Sequence, residues 1–111
     1  MPAACKAFAA GLPVMPRGVT GKPAAKSLHE AGIECNYNTI PFDPRKPFDP
    51  SGLRIGTPSV TSRGMREKDM VAIAEWIDRV LKVADDESAL HSIRAEIAEY
   101  CKAFPAPGIR V

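Results

Sequence analysis

The run IECNYNTIPFDPRKPFDPSGLRIGTP occupies residues 33–58 and sets the architecture of this chain. Ile33 to Ile40 alternates apolar and polar residues, the pattern of a strand with one face buried. From Pro41 to Gly52 the chain then holds four prolines, two phenylalanines and two Asp-Pro steps. Each proline fixes φ and biases the residue before it away from the helical region, so this connection is stiff and extended. Leu53 to Gly56 reads as a second, brief strand, ended by Thr57-Pro58.

Working outward, Thr20-Gly-Lys-Pro-Ala-Ala-Lys-Ser-Leu-His-Glu-Ala-Gly32 reads as a short helix. Thr20 stands at the N-cap, Pro23 is tolerated in the first turn, and Gly32 is placed to end it. Downstream, Met70, Ile73, Ile77, Val80, Leu81 and Ala84 form one stripe of an amphipathic helix. Asp85-Asp-Glu-Ser88 breaks that helix and supplies capping residues for the next, whose stripe is Leu90, Ile93, Ile97, Tyr100 and Phe104, ending at Pro105. The expected fold is α+β: a small sheet of short strands covered on one face by helices, because so few strands need helical cover. Residues 1–16 read as a weakly ordered lead-in. Cys5, Phe8 and Leu12 fall at helical spacing there, which allows a short helix.

The chain has 111 residues, one domain's worth against roughly 100–200 per domain. Fifteen basic against thirteen acidic side chains leave a formal charge of +2, too balanced for a nucleic-acid or membrane-surface footprint. No apolar run approaches the roughly 20 residues of a membrane span. Gly11, Pro13 and Pro16 interrupt the apolar start and make it a poor secretory signal. Three widely spaced cysteines, Cys5, Cys35 and Cys101, suit reduced thiols and a cytoplasmic location rather than a disulfide framework.

Few residues carry the pattern of chemistry. No Cys or His spacing matches a metal site, and no phosphate-binding glycine motif occurs. Cys35, inside the alternating strand, reads as a small core residue. Arg54 stands out. It lies in a short strand between Gly52 and Gly56, after a rigid loop that would aim its guanidinium from a firm base. A planar fork of donors holds a carboxylate through two parallel hydrogen bonds, fixing position and orientation together. The competing reading is an outward-facing arginine that protects a sheet edge. Asn38 and Phe48 flank the loop; an amide that donates and accepts, beside a ring, suits a flat heteroaromatic ligand. They also serve as an ordinary turn former and a loop anchor.

These residues sit within a longer pattern: Thr20-Gly-Lys22, Cys35-Asn-Tyr-Asn38, Ile40-Pro-Phe-Asp-Pro44, Pro47-Phe48, Ser51-Gly-Leu-Arg-Ile-Gly-Thr-Pro58, and Ser62-Arg-Gly64 leading into Ile73-Ala-Glu-Trp-Ile77. From about Arg17 to Pro105 the sequence closely resembles the C-terminal domain of serine hydroxymethyltransferases. These pyridoxal-phosphate enzymes interconvert serine and glycine with a tetrahydrofolate one-carbon carrier. The resemblance implies the small-domain fold of fold-type I pyridoxal-phosphate enzymes over residues 17–111. It also implies that Arg54 binds the substrate carboxylate, that Asn38 hydrogen-bonds the pterin, and that Phe48 lies near the same ligand. Clamping the carboxylate would set which bond at Cα stands perpendicular to the cofactor ring. Arg63 falls on a family arginine near the active site, with a structural or electrostatic role. Tyr37 stands where the family usually has Lys, and Asp49-Pro50 where it usually has Val-Thr. Residues 1–16 do not resemble the family, and its strand just before Arg17 is not read there.

The family's Schiff-base lysine follows a threonine-rich run ending in His. The lysines here are 6, 22, 26, 46, 68, 82 and 102, and none follows a Thr-His pair. The resemblance therefore implies that pyridoxal phosphate and tetrahydrofolate belong to an intact enzyme, with neither expected on this chain alone. The chain is expected to be inactive by itself, with no catalytic residue of its own. Its expected partner is the missing large domain or a full-length enzyme, and an apolar patch left uncovered should drive self-association. Two other readings stand beside this one. One is a non-catalytic binding or interaction module that kept the fold. The other, motivated by Tyr37 and Pro50, is a fragment of a related α-methylserine hydroxymethyltransferase or aldolase.

Overall fold

A computed structural model describes residues 10–13, 18–106 and 108. Among these residues, three strands and four helices follow in the order β1 (Ala10–Pro13), α1 (Gly21–Glu30), β2 (Asn36–Asn38), β3 (Gly52–Ile55), α2 (Pro58–Ser62), α3 (Glu67–Lys82) and α4 (Glu87–Cys101). The sheet order is β1-β3-β2, with both pairings antiparallel. The fold is thus α+β, as the sequence predicts, with β3 in the middle.

Residues 10–13 correct the sequence reading. They were expected in a weakly ordered lead-in, with the preceding family strand missing; instead they form β1, paired along β3 from Ala10 opposite Ile55 to Pro13 opposite Gly52. Gly11 and Pro13 hid this strand, because both are poor strand formers in isolation. An edge strand tolerates proline, which need not donate to the ladder. The helix considered around Cys5, Phe8 and Leu12 has its Leu12 in β1; Cys5 and Phe8 lie outside the described residues.

The strand read over 33–40 pairs only at Asn36–Asn38, and both truncations have a cause. At its start, Gly32 takes a left-handed φ of 92°; its N–H reaches the His29 carbonyl, and the Ile33 N–H reaches that of Leu28 at 2.8 Å. That double closure ends α1 and commits Ile33 to the cap. At its end, the Ile40 N–H turns to the Asp43 carboxylate at 3.3 Å.

Helix α1 starts where expected, though not by the expected cap. Thr20 makes no side-chain capping bond; the first helical amide, Gly21 N–H, donates to the Pro50 carbonyl at 3.0 Å. The contact brings α1 hard against the end of the proline loop. A Cβ on Gly21 would sit 2.9 Å from the Pro50 oxygen, 3.0 Å from Tyr37 Cβ, and closer still to the Gly52 oxygen. Only glycine lets the three segments meet. Pro58, read as ending the strand, also opens α2 in the first-turn position that suits a residue with no N–H to donate. Asp86 caps α4 by accepting from Ala89 N–H at 3.1 Å.

The helices bury one sheet face. Leu53 of β3 is fully buried, packed in one cluster with Ala24 and Leu28 of α1, Trp76 and Val80 of α3, and Leu90 of α4. The predicted α4 stripe holds at Leu90, Ile93 and Ile97. The α3 stripe is rotated: Trp76, Val80 and Leu81 are buried with Asp69, whereas Met70, Ile73 and Ile77 are only half-buried. Those three line a largely apolar cavity of about 550 Å³, shared with Ile33, Ile55 and Val60. Asp69 is tolerated inside because it accepts from Arg66 N–H at 2.7 Å and from the Tyr100 hydroxyl. Cys35 packs half-buried against the core, and burial raises its thiol pKa, in keeping with a structural residue.

Gly21→Ala is expected to lower stability by about 1–3 kcal/mol, because two backbone carbonyls must move to admit the methyl group. Urea midpoints of the variant and of the exposed control Lys26→Ala check this; Lys26→Ala should leave the midpoint nearly unchanged.

Candidate functional site

Alternation along β3 sends Leu53 into the core and leaves Arg54 exposed on the opposite face. The register sets Asn36 directly opposite Arg54, and Asn38 opposite Gly52. Asn36, Asn38 and Arg54 therefore share the sheet face that the helices do not cover. With Tyr37 they line an open cleft of about 340 Å³. Gly52 adds no side chain beside Asn38, which leaves that end of the cleft clear.

Arg54 is on the central strand, paired on both sides. This removes the edge-protection reading, since a middle strand has no free backbone edge to guard. Asn38 donates through Nδ2 to its neighbour's carbonyl, Thr39 O, at 2.9 Å, a bond that orients the amide. Tyr37 is half-exposed, with the Lys22 ammonium 5.1 Å above its ring centroid. This cation–π contact ties the first turn of α1 to β2.

Phe48 is not among the residues that line this cleft. It is 65% exposed, on the proline loop, with Lys46 Nζ 5.8 Å from its ring centroid. The structure thus brings Arg54 and Asn38 together and leaves Phe48 apart. Arg63 is also elsewhere: Nε donates to the Phe104 carbonyl at 2.6 Å, tying the end of α2 to the segment after α4. Asn36 was missed in the sequence, although its spacing two residues before Asn38 put it on the same strand face.

Asp43 organises the loop behind the cleft. Its carboxylate accepts from Ile40 N–H, Arg45 N–H at 2.9 Å, Ser51 N–H at 2.9 Å, and the Ser51 hydroxyl at 2.6 Å. The bonds from Ser51 dominate, and together the four hold the carboxyl well below the usual carboxylate range. Arg45 adds a clamp to the Asp49 carbonyl and carboxylate. The Ile40–Asp43 turn puts Phe42 at a φ of 56°, where glycine is the ordinary choice.

No lysine lines the cleft; its donors are two asparagines, a tyrosine and an arginine. These residues do not compose a site for pyridoxal phosphate, since none supplies an amine for a Schiff base. Among the described residues no cluster of His, Cys, Asp or Glu could hold a metal ion, and no helix is long and apolar enough to cross a membrane.

The fold and cleft define a small α+β domain presenting a cation and amides from one open sheet face. The serine hydroxymethyltransferase family model matches residues 11–77, so its match takes in most of β1, and the chain belongs to that family. It is 60% identical over 96 residues to the serine hydroxymethyltransferase of Sorangium cellulosum, covering 86% of this chain and 23% of that protein. It is 56% identical over 99 residues to that of Acidothermus cellulolyticus and 48% over 93 residues to that of Desulfotalea psychrophila. The chain spans less than a quarter of the length of these relatives.

Two depressed carboxyls set an acid limit. Asp43 is held down chiefly by Ser51, and Asp69 chiefly by the Tyr100 hydroxyl. Their contributions are complete above the ordinary carboxyl value of 3.8. Below it the unfolded chain takes up protons first, so stability falls until the folded carboxyls protonate as well. Urea midpoints between pH 6 and 2.5 should decline through this window, and less steeply in Asp43→Asn.

Proposed function

We propose that this chain is the C-terminal domain of a serine/glycine hydroxymethyltransferase, supplying the grip on the amino-acid carboxylate and part of the folate site. The single observation that carries this reading is Arg54 on the central strand, facing the open side of the sheet with Asn36 and Asn38 beside it. A guanidinium fork in that setting pairs with a carboxylate through two hydrogen bonds. The Asn38 amide suits the pterin edge of tetrahydrofolate, which displays paired donors and acceptors. Phe48 is assigned to the same ligand by its place in the family motif, although it stands on the proline loop outside the cleft wall.

No lysine lines the cleft and none follows the Thr-His pair of the family's Schiff-base lysine, so the cofactor is assigned to the remainder of the enzyme. When bound there, it supplies the electron sink for breaking bonds at Cα. Alone, this domain binds and orients but does not turn over substrate. Its partner is a polypeptide carrying the large domain. In that partner's absence, the apolar cavity bordered by Ile33, Ile55, Ile73 and Ile77 favours self-association.

A chimera tests the assignment: the Sorangium relative with its matching segment replaced by this chain. The chimera should convert serine and tetrahydrofolate. Arg54→Lys should raise the serine KM about 30-fold or more, as expected for losing roughly 2 kcal/mol from a covered charge pair. Asn38→Ala should raise the folate KM about tenfold, the scale of one hydrogen bond. An Arg54→Lys chimera with unchanged serine KM, or turnover by the isolated chain, overturns the reading.

Sedimentation of the purified chain should show mass above the monomer that rises with concentration. A strict monomer at every concentration would remove the proposed self-association.

A further inference from the structure

Between the two strands that line the cleft runs a connection of thirteen residues, from Thr39 to Ser51. The ladder that joins these strands takes in only three residues of β2, so the alignment of their ends also depends on how this connection is tied. Here one carboxylate closes it. Asp43 accepts the Ile40 N–H, two residues past Asn38, and both the N–H and the hydroxyl of Ser51, three residues before Arg54. Ser51 is fully buried, as is Pro50 beside it, so the far end of this tie is anchored in the domain rather than in the loop. The near end turns on Phe42 at a φ of 56°, its side chain wholly exposed. No packing of that ring holds the strained turn, which leaves the Asp43 bonds and the Ile40–Asp43 turn to do so.

We propose that Asp43 is a positioning residue for the whole cleft, fixing Arg54 and Asn38 relative to one another by tying the end of β2 to the start of β3. This rests on the carboxylate-and-folate reading given above and extends it to a residue that contacts neither ligand. Arg54 on a loose strand would still carry its charge, but a two-bond fork tolerates little angular error. Losing the tie should therefore weaken both ligands at once, whereas losing Arg54 or Asn38 weakens one.

Two measurements test this. In the chimera, Asp43→Asn keeps the shape but offers an N–H₂ where Ser51 also donates. It should raise the KM for serine and for folate together, each about fivefold or more, with a smaller change in kcat. Combined with Arg54→Lys, it should add little further to the serine KM, because a misplaced lysine has no fork geometry left to lose. Asp69→Asn is the control for loss of stability alone: it weakens the α3–α4 contact, away from the loop, and should move neither KM. In the isolated chain, Asp43→Asn should speed amide exchange at Ser51 and Leu53–Ile55 about tenfold or more while the α4 amides keep their protection. If Arg54→Lys raises the serine KM but Asp43→Asn moves neither KM, the positioning role is overturned and the carboxylate reading stands. If Arg54→Lys has no effect, that reading falls. The exchange experiment then decides the tie by itself: unchanged exchange along β3 overturns it, and localised loss of protection upholds it.

Discussion

A β-strand sends neighbouring side chains to opposite faces, and everything in this domain follows from how β3 uses that constraint. Leu53 goes inward and becomes the sheet's fully buried contribution to the core; Arg54 goes outward onto bare sheet. A slip of one residue would exchange them, burying a guanidinium among Leu28, Val80 and Leu90. An unpaired charge in such a place is strongly unfavourable, so the core itself enforces the outward aim of Arg54. β1 along the whole of β3, and β2 along residues 52–54, then hold that register.

Much of this was legible in residues 33–58. Proline-fixed backbone and apolar alternation pointed to β2 and β3, and the 3.6-residue periodicity to α3 and α4. What escaped notice depended on partners distant in sequence. β1 is a strand because β3 offers it a ladder, not because Gly11 and Pro13 favour one. Trp76 and Asp69 displace Met70 and Ile77 from the deepest α3 positions because Tyr100 meets both: its ring packs edge-on against Trp76 at 5.0 Å between centroids, and its hydroxyl satisfies Asp69. No periodicity within α3 encodes that pairing.

The cleft divides in the same way. Arg54 and Asn38 were identifiable from residue type and local pattern, since a guanidinium between glycines on a strand is unusual by itself. Asn36 followed from the strand period alone but carried no distinguishing neighbour. Asp43 lay within a recognisable motif, yet its importance comes from Ser51, eight residues away. Phe48 is the reverse case. Its motif was clear, but the described fold leaves it off the cleft wall, exposed on the proline loop beside Lys46.

Openness is the physical limit on what this cleft does unaided. An ion pair between solvent-exposed partners contributes about 0–1 kcal/mol, because water and salt screen it and both groups lose freedom. The same fork on the same carboxylate becomes several times stronger once water is excluded and the local dielectric falls. Arg54 is already aimed, and the ordering cost on the protein side is already met by the fold; what the cleft lacks is a lid. A second polypeptide surface over the bare sheet face would supply it without moving any residue of this domain. An exposed guanidinium on a rigid strand is what the proposed division of labour, between a gripping domain and a covering, cofactor-bearing one, requires of this chain.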